Sequence, residues 1–136
     1  MLKDADIIVI TAGLARQPGM TRDDLLKKNA EIIKALSLKI KEFINNPIVI
    51  VVTNPVDLMT CLVSRITGFD KKRVFGMGIS LDAARFANLI HGDLNVPVSA
   101  VETVVMGSHG QTMAPVASLS KVSGAGIERL MNREII

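Results

Sequence analysis

Apolar residues along this chain fall into short unbroken runs and longer stretches with helical spacing, and the two alternate. Residues 6–12, DIIVITA, are a branched apolar run halted at Gly13, the pattern of a strand buried on both faces of a parallel sheet. A long helix is predicted from Arg22 to Phe43. Thr21 is placed as N-cap, and Asp23 and Asp24 lie in the first turn, where the helix dipole favours negative charge. Leu25, Leu26, Ile32, Ile33, Leu36, Ile40 and Phe43 form its apolar stripe. Asn45-Asn46-Pro47 ends it, and IVIVV at 48–52 is a second buried strand. A further helix is predicted after Asn54-Pro55, with Asn54 as N-cap and Pro55 at the first helical position, closed by Gly68. RVFGMG at 73–78 predicts a third strand, Ser80 caps a helix over about 81–91, and VETVVMG at 101–107 predicts a fourth strand. The tail from Pro115 to Ile136 carries a Ser/Gly-rich turn, SKVSGAG, and then a short helix.

Strands alternating with helices of this length imply right-handed crossovers and a parallel sheet, hence an α/β doubly wound domain. Ligands of such sheets bind beyond the C-terminal strand ends. The segments to inspect are therefore TAGLARQPGMTR, TNPVD, GMGISLDAAR and GSHGQTM.

Composition narrows the classes. At 136 residues, 49% hydrophobic and 21% charged, the chain is long and apolar enough for a globular core. The formal charge of +3 comes without basic runs, Trp or Tyr, so no nucleic-acid surface is expected. A single cysteine, Cys61, excludes an internal disulfide framework, suits a reducing cytoplasm, and sits in a helical pattern as a small core residue. No apolar run approaches the ~18 residues of a membrane span, no signal-peptide pattern opens the chain, and no His/Cys/Asp/Glu spacing suggests a metal site.

The four strand-end segments hold residues with both plain and chemical readings. Arg16 and Arg22, in a loop with Gly13 and Gly19, read either as a solvated turn or as guanidinium clamps for an anion. Asn54 reads as a cap that can also face a ligand. Asp82 and Arg85, three apart on a helix, read as a surface ion pair or as part of a site. His109 lies between Gly107-Ser108 and Gly110, where the imidazole is accessible for proton transfer near neutral pH. His91, at a helix end beside Gly92, reads as a dipole or solvent contact.

Taken together and in order, TAGLARQPGMTRDDLL, VVTNPVD, GMGISLDAARF and GSHG resemble the lactate/malate dehydrogenase family, and within it the lactate-dehydrogenase-like malate dehydrogenases. The resemblance implies the second half of a Rossmann-type doubly wound sheet over residues 1–78. It implies the start of an α+β substrate domain over 79–136. It also implies hydride transfer between NAD and a 2-hydroxy acid in a cytoplasmic homodimer or homotetramer, as in the tricarboxylic acid cycle. Carried over by motif position, His109 is the proton acceptor and donor, and Asp82 pairs with it and orients it. Arg85 grips the substrate's C1 carboxylate, Arg22 polarises the reacting carbonyl, and Asn54 bonds substrate beside the nicotinamide. Thr11, Ala12, Gly13, Asn29, Val52 and Thr53 line the NAD groove with Asn54. Arg16 stands where the family's malate enzymes carry arginine and its lactate enzymes typically glutamine, which implies malate/oxaloacetate as substrate.

The chain departs from the family pattern in three places. Gln111 replaces the acid usual after the histidine motif, and Ala83 and Ala84 stand where serine is common. The Gly-rich dinucleotide turn and the acid that reads the adenosine ribose have no counterpart, since GMG at 76–78 lacks the third glycine. NADP therefore stays open beside NAD. The chain is expected to be the central fragment of one about twice as long. Lactate or another 2-hydroxy acid is the alternative substrate, and a non-catalytic remnant or interaction module is the alternative of a different class.

Overall fold

A computed structural model describes residues 3–131. The chain divides into two compact units, the first ending at Met77 and the second beginning at Gly78.

The first unit is built from β1 (Ile7–Ile10), α1 (Arg22–Phe43), β2 (Ile48–Val51), α2 (Val56–Thr67) and β3 (Val74–Gly76). Its strands are parallel in the order β1-β2-β3, with Val9 paired to Ile50 and Ile50 to Phe75. The α/β expectation is met here, and both crossovers are helical. Ile10, Val49, Val51 and Val74 meet Ile33 and Ile40 of α1 and Met59 and Val63 of α2 in one buried cluster. Burying a side chain of this size contributes about 1.5–3 kcal/mol.

The sheet is not buried on both faces as the apolar runs suggested. Ile7, Val9 and Phe75 are 56%, 54% and 46% exposed. Both helices pack on the face that carries Ile10, Val49, Val51 and Val74, and successive strand residues point to opposite faces.

α1 has the predicted bounds and cap. The Asp24 N–H donates to Thr21 Oγ1 at 3.1 Å and the Thr21 N–H donates back to the Asp24 carboxylate at 3.1 Å, a capping box. Its buried stripe differs from the apolar list. Asn29, Ser37, Ile33 and Ile40 are the buried residues, whereas Phe43 is 45% exposed. Ser37 is accommodated by donating to the Ile33 carbonyl at 2.7 Å.

α2 begins one residue later than predicted. The Asn54–Pro55 peptide is cis, and Pro55 occupies the N-cap with ψ 114, an extended conformation, so Asn54 is not the cap. Gly68, at φ 70, closes the helix with its N–H on the Ser64 carbonyl. The buried stripe of α2 is Val56, Met59, Val63 and Thr67. Cys61 lies off that stripe and is exposed, not a core residue.

The second unit opens with α3 (Ile79–Leu94), whose N-cap is Gly78, not Ser80, and whose end is a left-handed Asn95 at φ 50. The predicted fourth strand is two separate pieces, β4 (Val101–Glu102) and β5 (Val105–Met106). β5 pairs antiparallel with β6 (Ala114–Pro115), and β4 with β7 (Lys121–Val122), which pairs in turn with β8 (Ala125–Gly126). Side chains serve the break between β4 and β5. Thr103 Oγ1 donates to the Ala83 carbonyl at 2.7 Å, and Ser120 Oγ accepts from the Val104 N–H at 3.1 Å. The Ser/Gly-rich turn is a hairpin with Ser123 and Gly124 both at positive φ, the two-residue loop whose twist suits paired strands. The short helix predicted after it is a single 3-10 turn, Ile127–Arg129, and residues 132–136 lie outside the described residues. Ile90, Val122 and Ile127 form this unit's core.

The hydrogen bonds from Thr21 hold the Asp24 carboxyl below the ordinary aspartate range. A depressed carboxylate contributes stability above its unfolded value and loses it as pH falls through the folded one. Thr21→Ala is expected to cost about 1 kcal/mol in denaturant unfolding at neutral pH. The difference from the parent protein should shrink as the pH falls below the aspartate range, and a deficit that stays constant with pH would contradict the capping box.

Candidate functional site

The predicted site residues divide between the two units. In the first, a cavity of about 350 Å³ lies beyond the C-terminal ends of β1 and β2, which is where open parallel sheets bind ligands. Thr11, Gly13, Asn29, Val52, Thr53 and Asn54 all line it, together with Arg16. Ala12 does not line it. Its carbonyl instead accepts from Thr53 Oγ1 at 2.7 Å, which ties the end of β1 to the end of β2. Gly13 is required by space. A Cβ there would stand 2.6 Å from Thr53 Cγ2 and 3.3 Å from Asn29 Oδ1.

Asn29 is 1% exposed. Its Oδ1 accepts from the Leu14 N–H at 2.7 Å, and its Nδ2 donates to the Asn54 carbonyl at 2.9 Å and the Leu14 carbonyl at 3.4 Å. Arg16 is braced by its own loop, with Nε donating to the Met20 carbonyl at 3.1 Å. That carbonyl belongs to a turn closed by the Met20 N–H on Gln17 O, with Gly19 at φ 80. The brace uses Nε and leaves the terminal nitrogens for a two-pronged partner. Arg22 opens α1, is exposed, and does not line the cavity.

In the second unit Asp82 lies in the first turn of α3 and is buried, at 6% exposure. Its two carboxylate oxygens hold different partners. Oδ2 meets His109 Nδ1 at 2.6 Å, and Oδ1 accepts from Arg85 Nη1 at 3.2 Å. Arg85 remains 65% exposed by side chain, so its pairing with Asp82 is solvent-screened on one side. Asp82 and Arg85 also line a largely apolar cavity of about 240 Å³ with Phe86, Leu89 and Met113.

His109 reaches Asp82 from a loop that needs glycine at one end. Gly107 has φ 104, and a Cβ there would lie 2.4 Å from the Thr112 carbonyl. Gly110 has open space around it, so close approach is demanded only at Gly107. Sequence reasoning passed over the two hydroxyls that span this loop, Ser108 Oγ and Thr112 Oγ1, 2.5 Å apart. Hydroxyls four residues apart flanking a histidine were the available signal. It also passed over Thr103, whose bond to Ala83 anchors the helical turn that carries Asp82. Gln111 is exposed. His91 is structural, with Nδ1 2.6 Å from the Val96 carbonyl.

Among the described residues, no group of three His, Cys, Asp or Glu side chains is arranged to hold a metal ion. No described helix is long and apolar enough to cross a membrane.

A family profile described as lactate/malate dehydrogenase, NAD binding domain, matches residues 1–76. The corresponding α/β C-terminal domain profile matches residues 79–135. The malate dehydrogenase of Chlorobium chlorochromatii is 47% identical over 133 residues, covering 98% of this chain and 43% of that protein. The solved malate dehydrogenase of Picrophilus torridus superposes with TM-score 0.92 at 44% identity, over 98% of this chain and 42% of that one. The minor L-lactate dehydrogenase of Enterococcus mundtii, in its ligand-bound form, gives 0.90 at 32% identity, over 98% and 42%. This chain thus spans less than half the length of the relatives it matches. The Rossmann-type parallel sheet and the two profiles, met in their family order along nearly the whole chain, lead to one assignment: the chain belongs to the lactate/malate dehydrogenase family.

Proposed function

We propose that this chain is the central part of a malate dehydrogenase, an NAD-dependent enzyme that interconverts malate and oxaloacetate. The observation that carries the reading is the 2.6 Å contact between His109 Nδ1 and the buried Asp82 carboxylate. With Nδ1 committed to Asp82, the ring exchanges its proton with substrate through Nε2. In malate oxidation the C2 hydroxyl gives its proton to Nε2, and in oxaloacetate reduction Nε2 returns it to the carbonyl oxygen. Asp82 orients the ring and stabilises the imidazolium while the proton resides there.

The strand-end cavity suits the nicotinamide end of a dinucleotide. No acidic side chain lines it, and the wall at Thr11, Gly13 and Val52 is small or apolar. Thr11, Gly13, Val52, Thr53 and Asn54 would hold the nicotinamide end, and NADP is an acceptable variant of the same group. Bound there, the nicotinamide supplies the hydride acceptor in one direction and the donor in the other.

Arg85 grips the substrate's C1 carboxylate through a two-pronged contact, and Asn54 bonds substrate beside the nicotinamide. Arg22, carried at the start of α1, polarises the carbonyl as negative charge develops on it. Arg16 receives the second carboxylate of oxaloacetate. Pyruvate offers a methyl there and would leave a desolvated guanidinium unpaired, so arginine at this position disfavours it. Lactate or another 2-hydroxy acid is the second reading, supported by the 32% identity to the Enterococcus lactate dehydrogenase, and Arg16 weighs against it. A homodimer or homotetramer working in the cytoplasm completes the proposal.

Two substitutions in the full-length protein test the assignment. His109→Asn is expected to lower turnover by about 100-fold or more with NADH binding retained, and undiminished turnover would refute the proton-transfer role. Arg16→Gln is expected to move the ratio of kcat/KM values for oxaloacetate and pyruvate towards pyruvate by at least about tenfold. An unchanged ratio would remove the argument for a dicarboxylate.

A further inference from the structure

Asn29 lies on the buried stripe of α1, and its carboxamide bonds to two other segments. It reaches Leu14 in the loop after β1 and Asn54 in the turn after β2, across 15 and 25 positions of sequence. Both of its N–H groups are spent, one on the Asn54 carbonyl and the other on the Leu14 carbonyl, and its oxygen accepts the Leu14 N–H. A buried carboxamide so occupied has no donor left for a ligand. The missing Cβ of Gly13, which would lie 3.3 Å from Asn29 Oδ1, lets the loop come close enough for these bonds.

We propose that Asn29 is a positioning residue for substrate choice: it holds the loop that carries Arg16 in a fixed relation to the turn that carries Asn54. Leu14 precedes Arg16 by two residues, so anchoring both its N–H and its carbonyl sets where the guanidinium emerges into the cavity that Arg16, Asn29 and Asn54 share. The inference rests on the reading of Arg16 as the receiver of a second carboxylate. A cofactor ligand and a positioning residue differ in one measurable respect. Loss of a cofactor contact, or general loosening of the fold, lowers turnover of every substrate alike. Loss of the anchor lowers it for the substrate that needs Arg16.

In the full-length protein at saturating NADH, Asn29→Ala is expected to reduce kcat/KM for oxaloacetate about tenfold more than for pyruvate. In an Arg16→Gln background the same change should leave the substrate ratio where Arg16→Gln put it. An equal loss for both substrates, or a further change of the ratio in the double variant, overturns the proposal. A second measurement needs no substitution. By hydrogen exchange in the parent protein, the Leu14 amide, which lies outside any strand, should exchange as slowly as the amides of β2, and rapid exchange overturns the anchor itself. Failure of the malate reading would show separately, as an Arg16→Gln protein with unaltered preference and a protected Leu14 amide.

Discussion

Connections between parallel strands must return from the C-terminal ends of the strands to their N-terminal ends, so every loop that follows a strand leaves from the same end of the sheet. That end is also where the ladder stops and backbone groups need other partners. In the first unit side chains meet both demands. Thr53 Oγ1 closes on the Ala12 carbonyl, and the Asn29 carboxamide closes on Leu14 and Asn54. Satisfying the orphaned backbone and shaping the cavity are one act, carried out by the same few polar side chains. Replacing Asn29 or Thr53 by an apolar residue of similar size would take these partners from the backbone of Leu14, Asn54 and Ala12, whatever happened to the packing.

The second unit solves a different problem, which is to keep a charged carboxylate buried. Asp82 is accommodated because each oxygen has a partner and because the start of α3 presents a positive dipole to it. The surrounding loops hold those partners in register. Thr103 fixes the helical turn beneath Asp82, and the positive φ of Gly107 folds the His109 loop back on its own Thr112.

Local chemistry made α1 legible to the residue, since a Thr-Arg-Asp-Asp start and an Asn-Asn-Pro stop depend on near neighbours alone. Features set by distant partners were not legible. The run from Val101 to Gly107 has the composition of one strand, but its halves pair with segments that lie beyond Thr112, and no property of the run itself announces the split. Asn29 went unread as a packing residue because a stripe defined by apolar side chains skips a buried carboxamide. Asp82 and Arg85 allowed both an ion pair and a functional pairing, and the structure contains the ion pair together with a contact to His109, 27 residues away. Asn54 was assigned a cap that Pro55 occupies, which leaves its side chain on the cavity wall.

The Arg85–Asp82 pair has a consequence for how an acid would enter the site. Asp82 engages one terminal nitrogen of Arg85 through one oxygen, and a guanidinium carries five N–H donors, so an arriving carboxylate would join a standing pair and would not meet a bare cation. The orientation of the fork is then set in part before any acid arrives, by a carboxylate that is itself buried. Two oxygens in a plane would share the guanidinium with Asp82, and the Asp82 carboxylate would serve Arg85 and His109 at once.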